Sequence, residues 1–297
     1  MRKLIKERRP AAVLGLGGYA AGVAVKVAAL KGIPTAIVNP DLIPGRANQY
    51  LMQYVRVVCC QFAETARHVP PQFKDKIQLT GCPIRDDIRR LAEARDLDVT
   101  ADRAAALKRL GLDPALNTLV ITGASLGAKT VNDAVIEMLK GVTLRGWQIL
   151  HLSGRDHGES VRAGYRELQL GARVIDFTAE MADIWAVADF ALSRSGASSC
   201  AELAACGVPS ILMPYPFHKD LHQRVNALAL ADAGAAILVD DEMDRRKNAD
   251  KLRPALESVL YDAPKRQGMG AAARKLGLPD AAHRVAQAVA AMTAGSR

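Results

Sequence analysis

One acid, Glu202, stands in the run SRSGASSCAELAACGVPSILMPYP (residues 193–216), inside an otherwise apolar helical stretch and seven positions after Ser195. The run predicts a strand end, a small-residue turn, a helix and a second strand. Seven residues make two helical turns, so Ser195 and Glu202 share one face. Ser195 and Gly196 would offer backbone N–H groups at a helix start, where anions are favoured, and Glu202 could accept hydrogen bonds from a ribose diol. A helix acid paired with a neighbouring cation would leave the same letters.

Three more stretches carry chemistry-bearing residues. GLGGYAAG (residues 15–22) follows a strand pattern and opens a helix, but it is not G-x-G-x-x-G, and its glycines suit tight packing as well as ligand contact. TGASLGAK (residues 122–129) places Ser125 and Gly127 at a turn and Lys129 in the first helical turn. That turn could hold a phosphate on its amides and the Ser125 hydroxyl, or Ser125 could be an ordinary N-cap; the spacing does not fit a Walker A loop. In PYPFHKDLHQRVNA (residues 214–227), Asp220 suits an N-cap, and Gln223 and Asn226 at i, i+3 share a face that could bond adjacent sugar hydroxyls. His218 and His222 would form a metal pair only on one helix, which the proline-bounded loop disfavours.

The elements that must position these residues are legible as alternation. Short β-rich runs at 11–16, 35–38, 55–59, 119–122, 148–152, 174–177, 190–193, 210–214 and 236–239 alternate with helical stretches at 22–31, 129–140, 158–168, 198–206 and 220–231. That order predicts an α/β protein with parallel sheets built from βαβ units. The charged stretch 88–116 contains few strand signals and reads as a linker with a decorating helix. Two nucleotide-fold domains follow, the first spanning residues 1–86 and the second residues 117–278, with a carboxy-terminal helix at 279–297 expected to pack back on the first. The first domain is small against an ordinary doubly wound domain of about 100–150 residues, so it is either compact or lacks its beginning.

Bulk properties narrow the partners. Among 297 residues, 49% are hydrophobic and 24% charged, enough for sizeable cores and against disorder. The 40 Lys and Arg against 31 Asp and Glu give +9, which favours an anionic partner. With only 4% aromatic residues and no nucleic-acid motif, diphosphate substrates and an anionic membrane surface fit that charge better than nucleic acid. No apolar run reaches the 18 residues of a spanning helix, and Pro10 interrupts the basic amino terminus before a signal-peptide core can form. The five cysteines form no C-x-x-C pair and read as reduced, buried thiols of a cytoplasmic chain.

Four motifs in order, GGYAAG, GCPIRDD (residues 81–87), GASLGAK and SRSGASSCAELAACGVPSILMPYPFHKDLHQRVNAL, resemble the MurG family of UDP-GlcNAc:lipid-linked muramoyl-pentapeptide GlcNAc transferases, glycosyltransferase family 28, from about Pro10 to the final helix. The resemblance implies a GT-B fold, two Rossmann-like domains with a cleft between them. It also implies an inverting transfer of GlcNAc in peptidoglycan synthesis, and with it roles in cell-wall biogenesis, cell shape and division. Expected partners are UDP-GlcNAc, the undecaprenyl-pyrophosphate-linked muramoyl pentapeptide and the anionic cytoplasmic face of the inner membrane. Neither a cofactor nor a metal is expected.

Residue by residue, the resemblance puts Ser125 and Gly127 at the diphosphate, with Arg194, Ser195 and Gly196 around it. Glu202 would hold the ribose and Gln223 and Asn226 the GlcNAc hydroxyls, and Arg85, which matches the family's arginine near the domain junction, would also be donor-binding. Gly17, Gly18, Tyr19 and Asn48 would lie on the acceptor side. The family's amino-terminal strand and G-G-T-G-G-H loop have no counterpart before Met1, so the first domain is expected to be incomplete. VNPDLIPG (residues 38–45) stands at the family's H-E-Q-N-G-x-x-G, with Asn39 for a glutamate and Asp41 for an asparagine, and Leu126 replaces a glutamine. The chemistry needs a base for the acceptor hydroxyl and positive dipoles for the departing diphosphate. The catalytic base is not identified by these motifs; Asp41 is the candidate substitute. The alternatives are a related diacylglycerol glycosyltransferase and a catalytically silent UDP-sugar-binding protein.

Overall fold

The computed structural model describes residues 1–94, 99–123, 127–217 and 221–294, with the backbone alone at 19, 20 and 99–101. The chain divides into two compact units, Met1–Ile84 with Leu278–Arg297, and Arg85–Gly277.

The first unit begins with a short helix, α1 (Arg2–Arg8), followed by β1 (Val13–Gly15), α2 (Gly18–Ala29), β2 (Thr35–Asn39), α3 (Arg46–Leu51), β3 (Val57–Cys60) and β4 (Ile77–Leu79). Its four strands are all parallel and lie in sequence order, β1-β2-β3-β4. Strand β2 is buried along its whole length, as a parallel strand covered on both faces must be. Helix α2 starts at Gly18, four residues before the sequence-expected 22, because Gly17 (φ +104°) and Gly18 (φ +75°) adopt conformations that let the chain turn straight out of β1. Strand β4 was not expected; three residues without alternating burial carry no period-2 signal.

The second unit contains α4 (Asp86–Ala94), α5 (Val99–Leu110), β5 (Asn117–Thr122), α6 (Lys129–Leu139), β6 (Trp147–Leu152), α7 (Gly158–Glu167), β7 (Arg173–Ile175), α8 (Met181–Val187), β8 (Phe190–Ser193), α9 (Ala197–Ala205), β9 (Ser210–Leu212), α10 (His222–Asp232), β10 (Ala236–Leu238), α11 (Arg245–Leu260) and α12 (Ala263–Leu276). Its six parallel strands run β10-β9-β8-β5-β6-β7. Read from β7, this is the doubly wound order, with the winding reversed between β5 and β8. Helix α6 buries Val131, Ala134, Val135, Met138 and Leu139, a stripe at i, i+3, i+4, i+7, i+8, against a core that includes Leu119, Ile121, Phe190, Leu192 and Ile211.

The stretch 88–116 corrects the expected linker. It holds two helices belonging to this unit: Ile88 and Leu91 are buried, Arg103 donates to the Val187 carbonyl and pairs with Asp189 at 2.7 Å, and Arg109 grips Asp183 at 2.6 Å. Charge on its outer faces hid these contacts. All five cysteines are buried thiols, and burial pushes Cys60 up to about 12.

The last helix, α13 (Ala281–Ala294), belongs to the first unit, where Val285 and Ala288 pack on Val38 and Cys59. The crossing near Leu278 leaves no room for a side chain at Gly81 (φ +84°), whose Cβ would meet the Leu278 Cβ at 2.8 Å. A carboxylate introduced by Val285→Asp would be forced into this apolar contact, and the expected cost is about 3 kcal/mol from the first unit. Iodoacetamide labelling of Cys59, read by mass spectrometry, should rise sharply in the variant; unchanged protection would count against this packing.

Candidate functional site

The carboxyl edge of the second sheet, at the winding reversal, gathers the turns that the sequence singled out. After β5 the chain passes Gly123 and Gly127, and Ser125 lies outside the described residues. Gly127 has φ +73°, and a Cβ there would sit 2.5 Å from the Ser153 carbonyl, so the loops after β5 and β6 touch backbone to backbone. Beneath them Asn132 Nδ2 donates to the Ser153 carbonyl at 2.9 Å, while its Oδ1 lies 3.0 Å from His151 Nε2. His151 Nδ1 meets the Tyr165 hydroxyl at 2.9 Å. Burial pushes His151 down to about 3, so the imidazole stays neutral and braces the loop. The Asn132 orientation implies that Nε2 carries the proton and Nδ1 accepts from Tyr165.

The turn after β8 is held from below. Ser195 Oγ donates to the Gln223 carbonyl at 2.8 Å, and Asn226 Nδ2 lies 3.4 Å from the Ser195 carbonyl. Gln223 Oε1 accepts from the Tyr215 amide at 2.9 Å. The sequence placed Gln223 and Asn226 together on a sugar-reading face; the structure separates them, with Gln223 half-buried and Asn226 fully buried and turned to the Ser195 turn. At Gly196 a Cβ would meet nothing within 4 Å, so open space fronts the start of α9. His218, Lys219 and Asp220 lie outside the described residues, and His222 opens α10.

Arg194 does not project into that space. Its side chain is only 6% exposed, donates through Nη1 to the Met213 and Pro214 carbonyls at 2.9 Å, and meets Asp241 at 2.9 Å and the Thr130 hydroxyl at 2.7 Å through Nη2. Burial alone would raise the Asp241 carboxyl; hydrogen bonds from Thr130, the Met243 amide, Asn248 and Arg194 outweigh it and hold Asp241 below the usual carboxylate range. Burial lowers the Arg194 guanidinium despite that partner. The loops after β8, β9 and β10 and the start of α6 are thereby tied into one body.

Beside them lies a cavity of about 360 Å³. Glu202 lines it, 14% exposed, with Oε2 accepting from Trp185 Nε1 at 2.8 Å and Oε1 4.0 Å from Arg85. Burial raises the Glu202 carboxyl, and the Trp185 bond and the Arg85 charge draw it partly back. Arg85 is anchored by donation to the Ala179 carbonyl at 2.5 Å. Phe177 forms another wall, with the Arg155 guanidinium 3.9 Å from its ring centre. An aromatic wall, an acid on a helix flank and an open helix start form a chemical set that accepts a flat base, a diol and an anion in succession.

Sequence reading missed Trp185, Phe177, Thr130 and Asp241. The signal for Asp241 was present, an acid just past the carboxyl end of a strand; Trp185 and Phe177 carried no motif and are assembled by the fold.

In the first unit the corresponding edge carries Gly17 and Gly18 at the start of α2, both exposed, with open space where side chains would be. Tyr19 follows in α2, its side chain outside the description. Asn48 Nδ2 donates to Asn39 Oδ1 at 3.0 Å and the Val38 carbonyl at 3.2 Å, and Asn39 Nδ2 donates to the Asp41 carbonyl at 2.6 Å. Asn48 thus shapes the loop that presents Asp41, which is half-buried. Among the described residues no group of three or more His, Cys, Asp or Glu is placed to hold a metal ion, and no helix is long and apolar enough to cross a membrane.

Residues 118–285 match the glycosyltransferase family 28 C-terminal domain. The chain is 33% identical over 285 residues to the UDP-N-acetylglucosamine--N-acetylmuramyl-(pentapeptide) pyrophosphoryl-undecaprenol N-acetylglucosamine transferase of Halothermothrix orenii, covering 94% of this chain and 73% of that protein. Against the protein of the same name from Desulforamulus reducens the identity is 34% over 293 residues, with the same coverages. The crystal structure of Acinetobacter baumannii MurG superposes with a TM-score of 0.76 at 27% identity, over 97% of this chain and 76% of that one. A Neisseria meningitidis UDP-GlcNAc 2-epimerase, at 16% identity and a TM-score of 0.66, shares the fold. The doubly wound sheet, its loaded carboxyl edge and these likenesses converge: the chain belongs to glycosyltransferase family 28, among the MurG-type transferases of GT-B fold.

Proposed function

We propose that the chain transfers GlcNAc from UDP-GlcNAc to the undecaprenyl-pyrophosphate-linked muramoyl pentapeptide, the step of peptidoglycan synthesis named for its relatives. The observation that carries this reading is Glu202 in the carboxyl-edge cavity, on α9, the helix whose open start is capped by Gly196. In the reaction the acceptor hydroxyl attacks the anomeric carbon as the bond to UDP breaks. UDP leaves with the electron pair, and the hydroxyl proton passes to a base. On this reading Glu202 accepts hydrogen bonds from the ribose diol, Phe177 packs on the uracil, and the open start of α9 with the Gly127 turn steadies the departing diphosphate. Gln223 reads the sugar hydroxyls, while Asn226, Ser195, Arg194 and Asp241 act through the loops they brace. Asp41, on the loop after β2, is the candidate proton acceptor.

Net charge supports an anionic membrane surface as the acceptor's setting. In the first unit, exposed Val23 on α2 and Leu30 at its carboxyl cap lie at helical spacing from Lys26, whose ammonium donates to the Tyr50 hydroxyl at 2.5 Å and lies over the Tyr50 and Tyr54 rings. Apolar, aromatic and cationic groups together suit a lipid interface, so this face is the proposed peripheral contact, on the cytoplasmic side of the inner membrane.

Glu202→Ala removes a charged hydrogen-bond acceptor and should weaken UDP binding by about 1.5–3 kcal/mol, roughly ten- to a hundredfold in Kd, by calorimetry. GlcNAc transfer to lipid I should fall with it, and transfer to diacylglycerol should be absent from the wild type. Undiminished UDP affinity in a folded variant would sink the assignment. The same residue predicts a pH effect. Because its folded pKa is raised, the stability it contributes is full below the unfolded value, about 4, and is lost as pH rises through the folded value. Urea midpoints should therefore show wild type losing ground to Glu202→Gln as the pH rises above about 4; a constant difference would contradict the burial of an ionising carboxyl.

A further inference from the structure

At the amino edge of the same six-stranded sheet, away from the carboxyl-edge cavity, a second cavity of about 660 Å³ opens where three parallel strands begin. Asn117 starts β5, Asp189 immediately precedes β8, Pro209 immediately precedes β9, and α5 and α12 supply the walls. Three guanidinium groups line it, Arg103, Arg266 and Arg274, against a single carboxylate, Asp189. That carboxylate is already engaged: its Oδ2 accepts from Arg103 Nη2 and from the Thr118 amide, both at 2.7 Å. Arg103 takes Asp189 as its ion-pair partner; Arg266 and Arg274 have no salt bridge among the described residues, the Asp189 and Asp262 charges reaching Arg266 only from a distance, so the three guanidinium groups outnumber the one carboxylate lining the cavity.

Both remaining arginines are positioned rather than trailing into solvent. Arg266 Nη1 donates to the Val259 and Leu260 carbonyls at 2.6 Å, and its guanidinium lies 4.9 Å from the Trp147 ring centre. Arg274 crosses the turn at Gly207 (φ +60°), where a Cβ would come within 2.5 Å of its Cγ and 2.6 Å of its Nη1. The carboxyl end of α9, just before Gly207, favours one cation nearby, but not two converging on a cavity. The volume lies in the ordinary range of small-ligand pockets, and a pair of guanidinium forks with the Asn117 and Gln267 amides at hand matches the charge and the several oxygens of a phosphate.

We propose that this amino-edge cavity is a second binding site, for a soluble phosphate-bearing anion, separate from the donor cavity at the other edge of the sheet. Inorganic pyrophosphate is the probe, titrated calorimetrically into the full chain with and without saturating UDP, so that binding at the carboxyl edge is recognised by its loss. The UDP-insensitive binding should weaken at least tenfold in Gln267→Glu, which adds a charge at an exposed position and removes no contact, and at least tenfold in Arg274→Gln, with UDP affinity unchanged in both. Absence of UDP-insensitive pyrophosphate binding in the wild type, or affinity in both variants unchanged from the wild type, would overturn the proposal. Binding of phosphatidylglycerol vesicles that the variants lose, without any pyrophosphate heat, would assign the arginines to a lipid headgroup and overturn it as well.

Discussion

The ion pair between Arg194 and Asp241 is the contact on which the carboxyl edge of the second sheet depends. Two charges taken out of water cost several kcal/mol each unless their remaining valences are filled. Here they are filled: the Asp241 oxygens accept from Thr130, Asn248 and the Met243 amide as well as from Arg194, and Arg194 in turn holds the Met213 and Pro214 carbonyls and the Thr130 hydroxyl. Removing either partner would strand the other, a loss of about 3–5 kcal/mol. The pair therefore exacts one arrangement of four chain segments, and that arrangement leaves the start of α9 open to a ligand.

The polarity of a parallel sheet explains why chemistry collects where it does. Every strand of the second unit ends at the same edge, so each following loop opens there, and the reversal of winding between β5 and β8 parts two of those loops. Gly127 is needed where the loop after β5 must touch the backbone after β6, and the neutral His151 beneath fixes that contact through Asn132. A charged imidazole there would lack a counter-ion; burial prevents it. The opposite edge collects strand beginnings, and the same geometry brings α5 and α12 together around a different, cationic hollow.

Glu202 shows how position changes a residue's meaning. On a bare helix it would be one more solvated acid. Seated between the Trp185 indole and the Arg85 guanidinium, largely out of water, it becomes an oriented acceptor whose ionised form is held at a cost in stability. Such a residue serves binding at the expense of folding, which is the usual trade at a site.

Much of this was determined by the sequence alone. Alternating apolar runs and helical stripes specify two parallel α/β sheets, because a strand buried on both faces and a crossover helix with one apolar stripe have few other ways to pack. The small-residue turn before a helix that carries Glu202 was likewise readable, being local, but α9 opens at Ala197, so Ser195 lies outside it and bonds to the Gln223 carbonyl rather than sharing a helical face with Glu202. Tertiary structure decided the rest. Short β4, the role of residues 88–116, the burial of Asn226 and Arg194, and the convergence of Trp185, Phe177 and Asp241 all rest on contacts between residues distant in the chain. Period and spacing report only what lies within a turn or two; which side chain meets which across a sheet is set by packing, and packing exists only once the chain has folded.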